Sequence, residues 1–191
     1  MKRGNNGVST KTIQNIQFGA GTIHKNLKCT ENTWNFDESC VGATKGGSSL
    51  KITPTFYKIE PDGSTVAIKQ FNKKIGEVAT MDVNFLELTL DLIKSATVGQ
   101  ESVSEDSTYV KIESKADIAE GDYWDNIAFV GETADGESII AILDNVLCTS
   151  GLALDSQNNA ESVGKYTFEC HADAEQSLTT LPWHIYYPNR A

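Results

Sequence analysis

The sequence has 191 residues, of which 39% are apolar, and a formal net charge of -10 with a pI of about 4.7. This length and composition predict one folded domain over residues 13–191, and no apolar run approaches the roughly 20 residues that a membrane span needs. The acidic balance disfavours tight binding of nucleic acid, because phosphates are held by basic surfaces. Residues 1–12 lack the apolar run of a secretory signal, so we expect a flexible arm on a protein made in the cytoplasm.

The first motif, QFGAGTIHKN at residues 17–26, begins like a dinucleotide-binding loop. Such a loop needs a third glycine and a following helix whose N-terminus faces the phosphates. His24 occupies the position of that glycine, and the next residues show no helical period. The motif therefore does not predict a nucleotide site. Residues 25–47 follow as a long polar loop containing Trp34 and Phe36, and a loop of this length indicates a function.

The middle of the chain alternates apolar and polar residues, as strands with one buried face do. Residues 48–60 form one such pattern, which predicts that Leu50, Ile52 and Phe56 share the buried face. Pro54 interrupts this pattern and indicates an edge strand or a bulge. A turn at Asp62 and Gly63 then predicts a hairpin that returns from residue 65.

Residues 78–88 form the next strand pattern, and its alternation assigns two faces. The apolar side chains are predicted to enter the core and the polar ones to face water: Met81, Val83 and Phe85, against Thr80, Asp82 and Asn84. Thr89 then predicts the N-cap of a short helix with a stripe of Leu90, Ile93 and Thr97, and Gly99 lies beyond its last turn. The acidic stretch GQESVSEDST is predicted to be an exposed loop.

The second half contains the clearest pairing signal, two apolar runs joined around Asp135 and Gly136. These runs, NIAFVGE and IIAILDNVLC, predict a hairpin, and KYTFECHA and LPWHIYYP predict two further strands. Predicted strands far outnumber predicted helices. The fold class is therefore mainly β, a β-sandwich or partly closed barrel with one flanking helix.

The residues that carry catalysis or bind metals are few. The four cysteines contain no C-x-x-C pair, so we expect reduced thiols and no zinc site: Cys29, Cys40, Cys148 and Cys170. His171 follows Cys170 directly, and neighbours in a strand point to opposite faces. No G-x-S-x-G motif is present in the sequence. We therefore expect no catalytic residue, no cofactor and no metal.

Six segments, taken in order, resemble the major tail tube proteins of long-tailed, siphovirus-like bacteriophages and of related prophages of low-GC Gram-positive bacteria. They run from about Ile13 to Pro188: IQFGAGTIHKNL, VGATKGGSSLKITPTFYKIEPDG, FLELTLDLIKSA, GDYWDNIAFVGETADGESIIAILDNVLCTSGL, VGKYTFECHA and LPWHIYYP. The order of the segments, rather than any one of them, carries the resemblance. The resemblance implies that the glycines lie at strand ends, where the absence of a side chain allows a turn or a close approach between subunits.

The resemblance implies a virion structural protein and not an enzyme. It implies hexameric rings that stack into a hollow tail tube, through which DNA is delivered. Its partners would be further copies of itself, the tail terminator and tail tip proteins, and the tape measure protein and DNA, which pass through the lumen without tight binding. No membrane partner is implied. Inner sheets of neighbouring subunits would join, which covers the strand edges that one subunit leaves open.

The resemblance also guides the choice of candidate sites. Thr80, Asp82 and Asn84 are the candidate lumen-lining residues. Two further sets are candidates for ring stacking: Trp34 and Phe36 in the long loop, and Asp62 and Gly63 at the hairpin turn. For the aromatic pair, folding back on its own subunit remains an alternative. The acidic charge is explained equally by a lumen that does not retain DNA and by ordinary solubility.

The alternative function is a carbohydrate-binding or adhesin-type β-sandwich module. In that module Trp34, Trp124 or Trp183 would stack on sugar rings while polar neighbours bind hydroxyl groups.

Overall fold

The computed structural model of the protein describes residues 7–9, 11–155 and 158–190. Residues 1–6 and Thr10, which belong to the predicted N-terminal arm, lie outside the described residues. The described ranges contain eleven strands: β1 (Gln17–Lys25), β2 (Cys29–Thr30), β3 (Thr33–Trp34), β4 (Thr44–Lys58), β5 (Asn72–Phe85), β6 (Gln100–Ser102), β7 (Lys111–Glu113), β8 (Trp124–Thr133), β9 (Ser138–Cys148), β10 (Gly164–Cys170) and β11 (Trp183–Tyr186). Two α-helices, α1 (Phe36–Ser39) and α2 (Leu90–Thr97), and three short 3-10 helices, Ile13–Asn15, Lys69–Phe71 and Glu120–Asp122, complete the described elements.

Seven strands form one antiparallel sheet, which confirms the mainly β fold class. The strand order is β1-β8-β9-β10-β5-β4, and β11 also pairs with β9. β10 and β11 share one edge of β9, because β10 pairs with its residues Val146–Cys148 and β11 with Ile140–Leu143. The predicted β8–β9 hairpin is present, with Gly136 in its turn.

The sheet curls until its two outermost strands meet at one end. His24 in β1 forms an isolated bridge with Cys40, just before β4, and the Val41 N–H donates to the Ile23 carbonyl at 3.0 Å. Curvature at β1 comes from a bulge around Gly19 and Gly21, both with positive φ. A Cβ on Gly21 would lie 2.5 Å from the Phe129 ring, so this glycine permits close approach within the subunit, inside a strand.

The main core fills the concave side of the sheet. Met81, Val83 and Phe85 are all at most 1% exposed, which confirms their predicted direction. Helix α2 covers one end of this core, with the Thr89 hydroxyl accepting from the Leu92 N–H at 3.3 Å. The Trp124 indole donates to Ser95 at 2.7 Å, and this buried hydrogen bond fixes the helix on the sheet.

Helix α2 presents a different face from the predicted one. Leu92 and Ala96 are buried, whereas Leu90 is 40% exposed, so the predicted stripe of Leu90 and Ile93 was wrong. The helix ends on Val98 in the left-handed region, with φ 48°. Gly99 instead permits close packing, because a Cβ there would lie 2.6 Å from Ile112 in β7.

A second apolar cluster lies on the opposite face of β8 and β9. Asn145 has φ 48° within β9, and this left-handed residue changes the alternation. Leu143 and Val146 consequently both enter the main core, although three positions separate them. Ile140 and Ile142 face the other way, onto the second cluster with Leu27.

Two predicted loops contain more structure than expected. Residues 25–47 hold β2, β3 and α1 and run into β4, because the chain turns back on the second cluster and buries Leu27 there. The acidic stretch after α2 contains β6, which pairs with β7.

Candidate assembly surface

The hairpin of β4 and β5 extends beyond the rest of the sheet. β10 pairs with β5 only between Thr80 and Phe85, so in the described structure the hairpin continues past this point as a two-stranded ribbon. Residues 55–75 are called the arm below. A ribbon has no second layer to cover it, and its large apolar side chains are exposed: Phe56 61%, Tyr57 56%, Val66 75% and Ile75 63%.

A bulge lies where the arm begins. The pairing register shifts between Thr55 and Phe56 because Ile75 is an extra residue on β5. The prediction that Phe56 is buried together with Leu50 and Ile52 was wrong, because no third strand lies beside the hairpin at this position. Pro54 lies one position before the bulge on the edge strand, as predicted.

The tip of the arm is a broader turn than the sequence indicated. β5 starts at Asn72 rather than residue 65, so residues 59–71 form the connection. Asp62 and Gly63 lie exposed in it, with Gly63 at φ 85°. A cavity of about 260 Å³ lies inside this turn and is lined partly by Ile59, Val66 and Phe71.

The arm is basic although the chain is acidic. It holds four lysines, Lys58, Lys69, Lys73 and Lys74, and two carboxylates, which gives +2 in a protein of -10. At its base Lys74 lies 2.7 Å from Glu77, and the Trp183 indole donates to the same carboxylate at 3.2 Å. The Lys74 hydrogen bond, followed by that from Trp183, lowers the pKa of Glu77. The base of the arm is thus tied to the C-terminal segment.

Both outer strands of the sheet offer unpaired edges. β4 pairs only with β5 among the described strands, and β1 pairs only with β8 apart from the single bridge to Cys40. Unpaired N–H and C=O groups on such edges readily accept another strand. The subunit therefore carries one acceptor edge at each side of the sheet.

The three candidate lumen residues lie on the convex face of β5. Asp82 is exposed and accepts hydrogen bonds from the Thr167 hydroxyl at 2.6 Å and the Ser49 hydroxyl at 3.4 Å. Thr80 and Asn84 are half-buried, and the Asn84 amide donates to the Gly47 carbonyl at 3.1 Å. Asn84 therefore also holds the bulge at the start of β4, where Gly46 and Gly47 have positive φ.

This polar face is balanced in charge. Asp82 and Glu169 are its acids in the rows that cross β4, β5 and β10, and Lys51 and Lys165 are its bases. The acidic excess of the chain is therefore not concentrated on these three strands.

Trp34 and Phe36 lie against the second cluster of their own subunit. Their rings stack with centroids 6.3 Å apart, and Trp34 also meets the edge of Tyr186 at 5.1 Å. Both side chains are half-buried, packed on the cluster of Ile140 and Ile142. This is the arrangement left open as the alternative to ring stacking, and the exposed parts of both rings still face outward.

Two histidines near this aromatic pair contact polar side chains. His24 is buried, with its ring nitrogens 2.7 Å from the Thr22 hydroxyl and 2.9 Å from the Ser39 hydroxyl, and burial lowers its pKa. His184 in β11 lies 3.1 Å from Asp144. Burial raises the pKa of Asp144 despite this neighbour.

The described residues contain few groups that are arranged for catalysis or metal binding. No group of three or more possible metal ligands occurs among them. Cys148 and Cys170 are buried, and burial raises the pKa of Cys170 to about 12, which leaves its thiol protonated and unreactive. His171 contacts the Glu169 carbonyl at 2.9 Å and the Tyr123 ring.

The tryptophans named for sugar binding are engaged in packing. Trp124 is 5% exposed and contacts Phe168 with ring centroids 4.7 Å apart. Trp34 and Trp183 are half-buried. None of the helices in the described ranges is long and apolar enough to cross a membrane.

Sequence reasoning found the arm's turn but missed its exposed apolar side chains and its charge. The charge was readable, because four lysines with two acids in 21 residues contrast with the acidic remainder. The exposure was not, because it depends on which strands lack a neighbour.

No protein-family model matches the sequence, and no curated protein matches it. Among solved structures, one similar chain belongs to a structure described as "Virion of native gene transfer agent (GTA) particle". The two chains share 9% identity and a TM-score of 0.43, over 81% of this chain and 92% of the other. A similarity of this size leaves the function to be argued from the molecule's own surfaces.

Proposed function

We propose that this protein is a virion structural protein that forms the tube of a phage tail. Hexameric rings of the subunit stack into a hollow tube, through which DNA is delivered from the virion. The further partners in this proposal are the tail terminator and tail tip proteins at the two ends of the tube. The tape measure protein and DNA occupy the lumen without tight binding.

The observation that carries the proposal is the arm, which exposes large apolar side chains on a ribbon that the subunit itself does not cover. Monomeric proteins seldom expose such groups together unless they mark a contact surface. The two unpaired sheet edges add a second route to association, because β4 of one copy can pair with β1 of the next. The sequence segments occur in an order that resembles tail tube proteins, and this resemblance also supports assembly into a tube.

In this proposal the convex face of β4, β5 and β10 lines the lumen, with Thr80, Asp82 and Asn84 in its centre. Balanced charge suits that position, because a lumen rich in cations would retain phosphates. The turn with Asp62 and Gly63 reaches the neighbouring ring. Trp34 and Phe36 offer their exposed parts to the same contact.

Electron microscopy of the purified protein tests the proposal directly. We expect stacked rings with sixfold symmetry and an open channel, growing with protein concentration. A protein that stays monomeric by sedimentation at all concentrations, or that forms closed dimers without rings, would contradict it. A glycan-binding screen of the same sample tests the alternative function, for which we expect no ligand.

A further inference from the structure

We propose that the arm of one copy docks on the loop of residues 100–113 of a second copy, called the acidic loop below. The inference rests on the proposed function only in taking the partner to be another copy of this chain. It adds the identity of the receiving surface, which the proposed function leaves open.

The acidic loop has the opposite charge to the arm. It comprises β6, β7 and their connection, and carries Glu101, Glu105, Asp106 and Glu113 against Lys111, a net charge of -3. Glu101 pairs with Lys94 of α2 at 2.8 Å, so Glu105 and Asp106 in the connection carry most of the contrast with the arm. The arm carries +2. Complementary patches of this kind steer association and select the partner surface.

Both surfaces also expose apolar side chains among their charges. On the acidic loop these are Val103, 92% exposed, Tyr109, 71% exposed, and Val110. On the arm they are Phe56, Tyr57, Val66 and Ile75. An interface with apolar groups at its centre and charges at its rim is the usual arrangement in protein complexes.

The acidic loop is held ready for contact. The Asp106 carboxylate accepts from the Thr108 N–H at 2.9 Å and from the Thr108 hydroxyl at 2.7 Å. The close packing of Gly99 on Ile112 fixes the β6–β7 pair beside α2. Docking on an ordered loop loses less conformational entropy than docking on a mobile one.

Contact between two different surfaces of identical chains is head-to-tail. Such contacts continue from copy to copy, unless rotation closes them into a ring. Arm-to-loop docking therefore gives either a closed ring or open growth along one direction.

Charge reversal tests the docking. The arm variant Lys58→Glu with Lys73→Glu changes the arm from +2 to -2. The loop variant Glu105→Lys, Ser107→Lys and Glu113→Lys changes the acidic loop from -3 to +2. The matched control Lys11→Glu with Lys28→Glu has the net charge of the arm variant but leaves both surfaces unchanged.

Sedimentation velocity measures association, electron microscopy records rings and tubes, and circular dichroism checks that each variant is folded. We expect each single-surface variant to associate about tenfold more weakly or worse, because like charges then face each other. The chain that carries both sets should recover association, and the control should behave like the wild type.

Normal association of the arm variant or of the loop variant overturns the docking, as does failure of the folded double-set chain to recover. A wild type that associates without forming rings contradicts the tail tube but leaves the charge-reversal result decisive for the docking. A wild type that is monomeric at every concentration overturns both. Preferential binding of a DNA duplex by the wild-type arm, lost in the arm variant while association persists, would assign the lysines to nucleic acid instead.

Discussion

The arm and the rest of the main sheet, called the body below, share two strands, β4 and β5, but differ in burial. Within β5, Met81, Val83 and Phe85 are almost completely buried, whereas Ile75, six residues before Met81, is 63% exposed. The sequence pattern is similar in both parts. What differs is the presence of a third strand and a helix over one part and their absence from the other.

This difference separates stability from assembly. Burial in the body stabilises the folded subunit by removing apolar surface from water. The arm gains little from its own apolar groups until another molecule covers them. Changes in the body should therefore act on unfolding, and changes in the arm on association.

The largest expected effect separates the two parts most clearly. Phe168→Ala removes a ring that is 1% exposed and packs on Trp124, and we expect a loss of about 3–5 kcal/mol in the free energy of unfolding. The matched change Phe56→Ala in the arm should alter unfolding by no more than about 0.5 kcal/mol, yet weaken assembly. Urea denaturation of both variants measures the contrast. An equal loss in the two would show that the arm packs on its own subunit.

Substitution of Trp34 and Phe36 should have the next largest effect on the free energy of unfolding. These two side chains are half-buried, so they can contribute both to stability and to association. Their packing on the second cluster predicts that Trp34→Ala with Phe36→Ala costs about 2–4 kcal/mol in the free energy of unfolding. Val66→Ser is the control, since it removes an exposed side chain from the arm. Denaturation combined with microscopy decides the case. If unfolding is unchanged while tubes are lost, the pair is a stacking anchor and not part of the subunit's core.

The sequence predicted those features that depend on nearest neighbours in the chain. The two faces of residues 81–85, the cap at Thr89 and the β8–β9 hairpin follow from alternation, a side-chain acceptor and a turn signal. The exposure of Phe56 depends on the lack of a third strand beside the arm, and Asn145 in the left-handed region changes the alternation within β9, so Phe56 and the two isoleucines at 140 and 142 could not be assigned. The face of α2 depends on Trp124, 29 residues after Ser95, and no local pattern shows that contact.

Protonation of His24 at acidic pH should lower the free energy of unfolding, by less than the two sets of substitutions above. Its folded pKa lies below the value of about 6.5 for an unfolded histidine, so the unfolded chain binds protons first as the pH falls. The stability due to neutral His24 is therefore complete above about pH 6.5 and is lost as the pH falls from there through the folded pKa.

Unfolding free energies measured between pH 8 and pH 5 test this sign. His24→Gln should lower stability at pH 8 but flatten the slope between pH 6.5 and pH 5. His171→Gln, which alters a half-buried ring beside Tyr123, should retain the slope. A slope that survives in His24→Gln but disappears in His171→Gln would contradict the assignment.

The smallest effect on folding is expected at Asp82, which belongs to the body but faces away from its core. Asp82→Lys removes the acceptor of an exposed hydrogen bond from Thr167 and should change the free energy of unfolding by about 1 kcal/mol or less. Assembly should persist, because neither the arm nor a strand edge is altered.

If Asp82 lines the lumen, the substitution places a ring of cations at every level of the tube. Phosphates bind to clustered cations most strongly at low salt. We therefore expect slower DNA passage through variant tails at low salt, with recovery at high salt, and no such change for Asp155→Lys in a loop outside this face. Equal DNA release by the Asp82→Lys and wild-type tails at low salt would place Asp82 outside the lumen and leave the convex face without its proposed role.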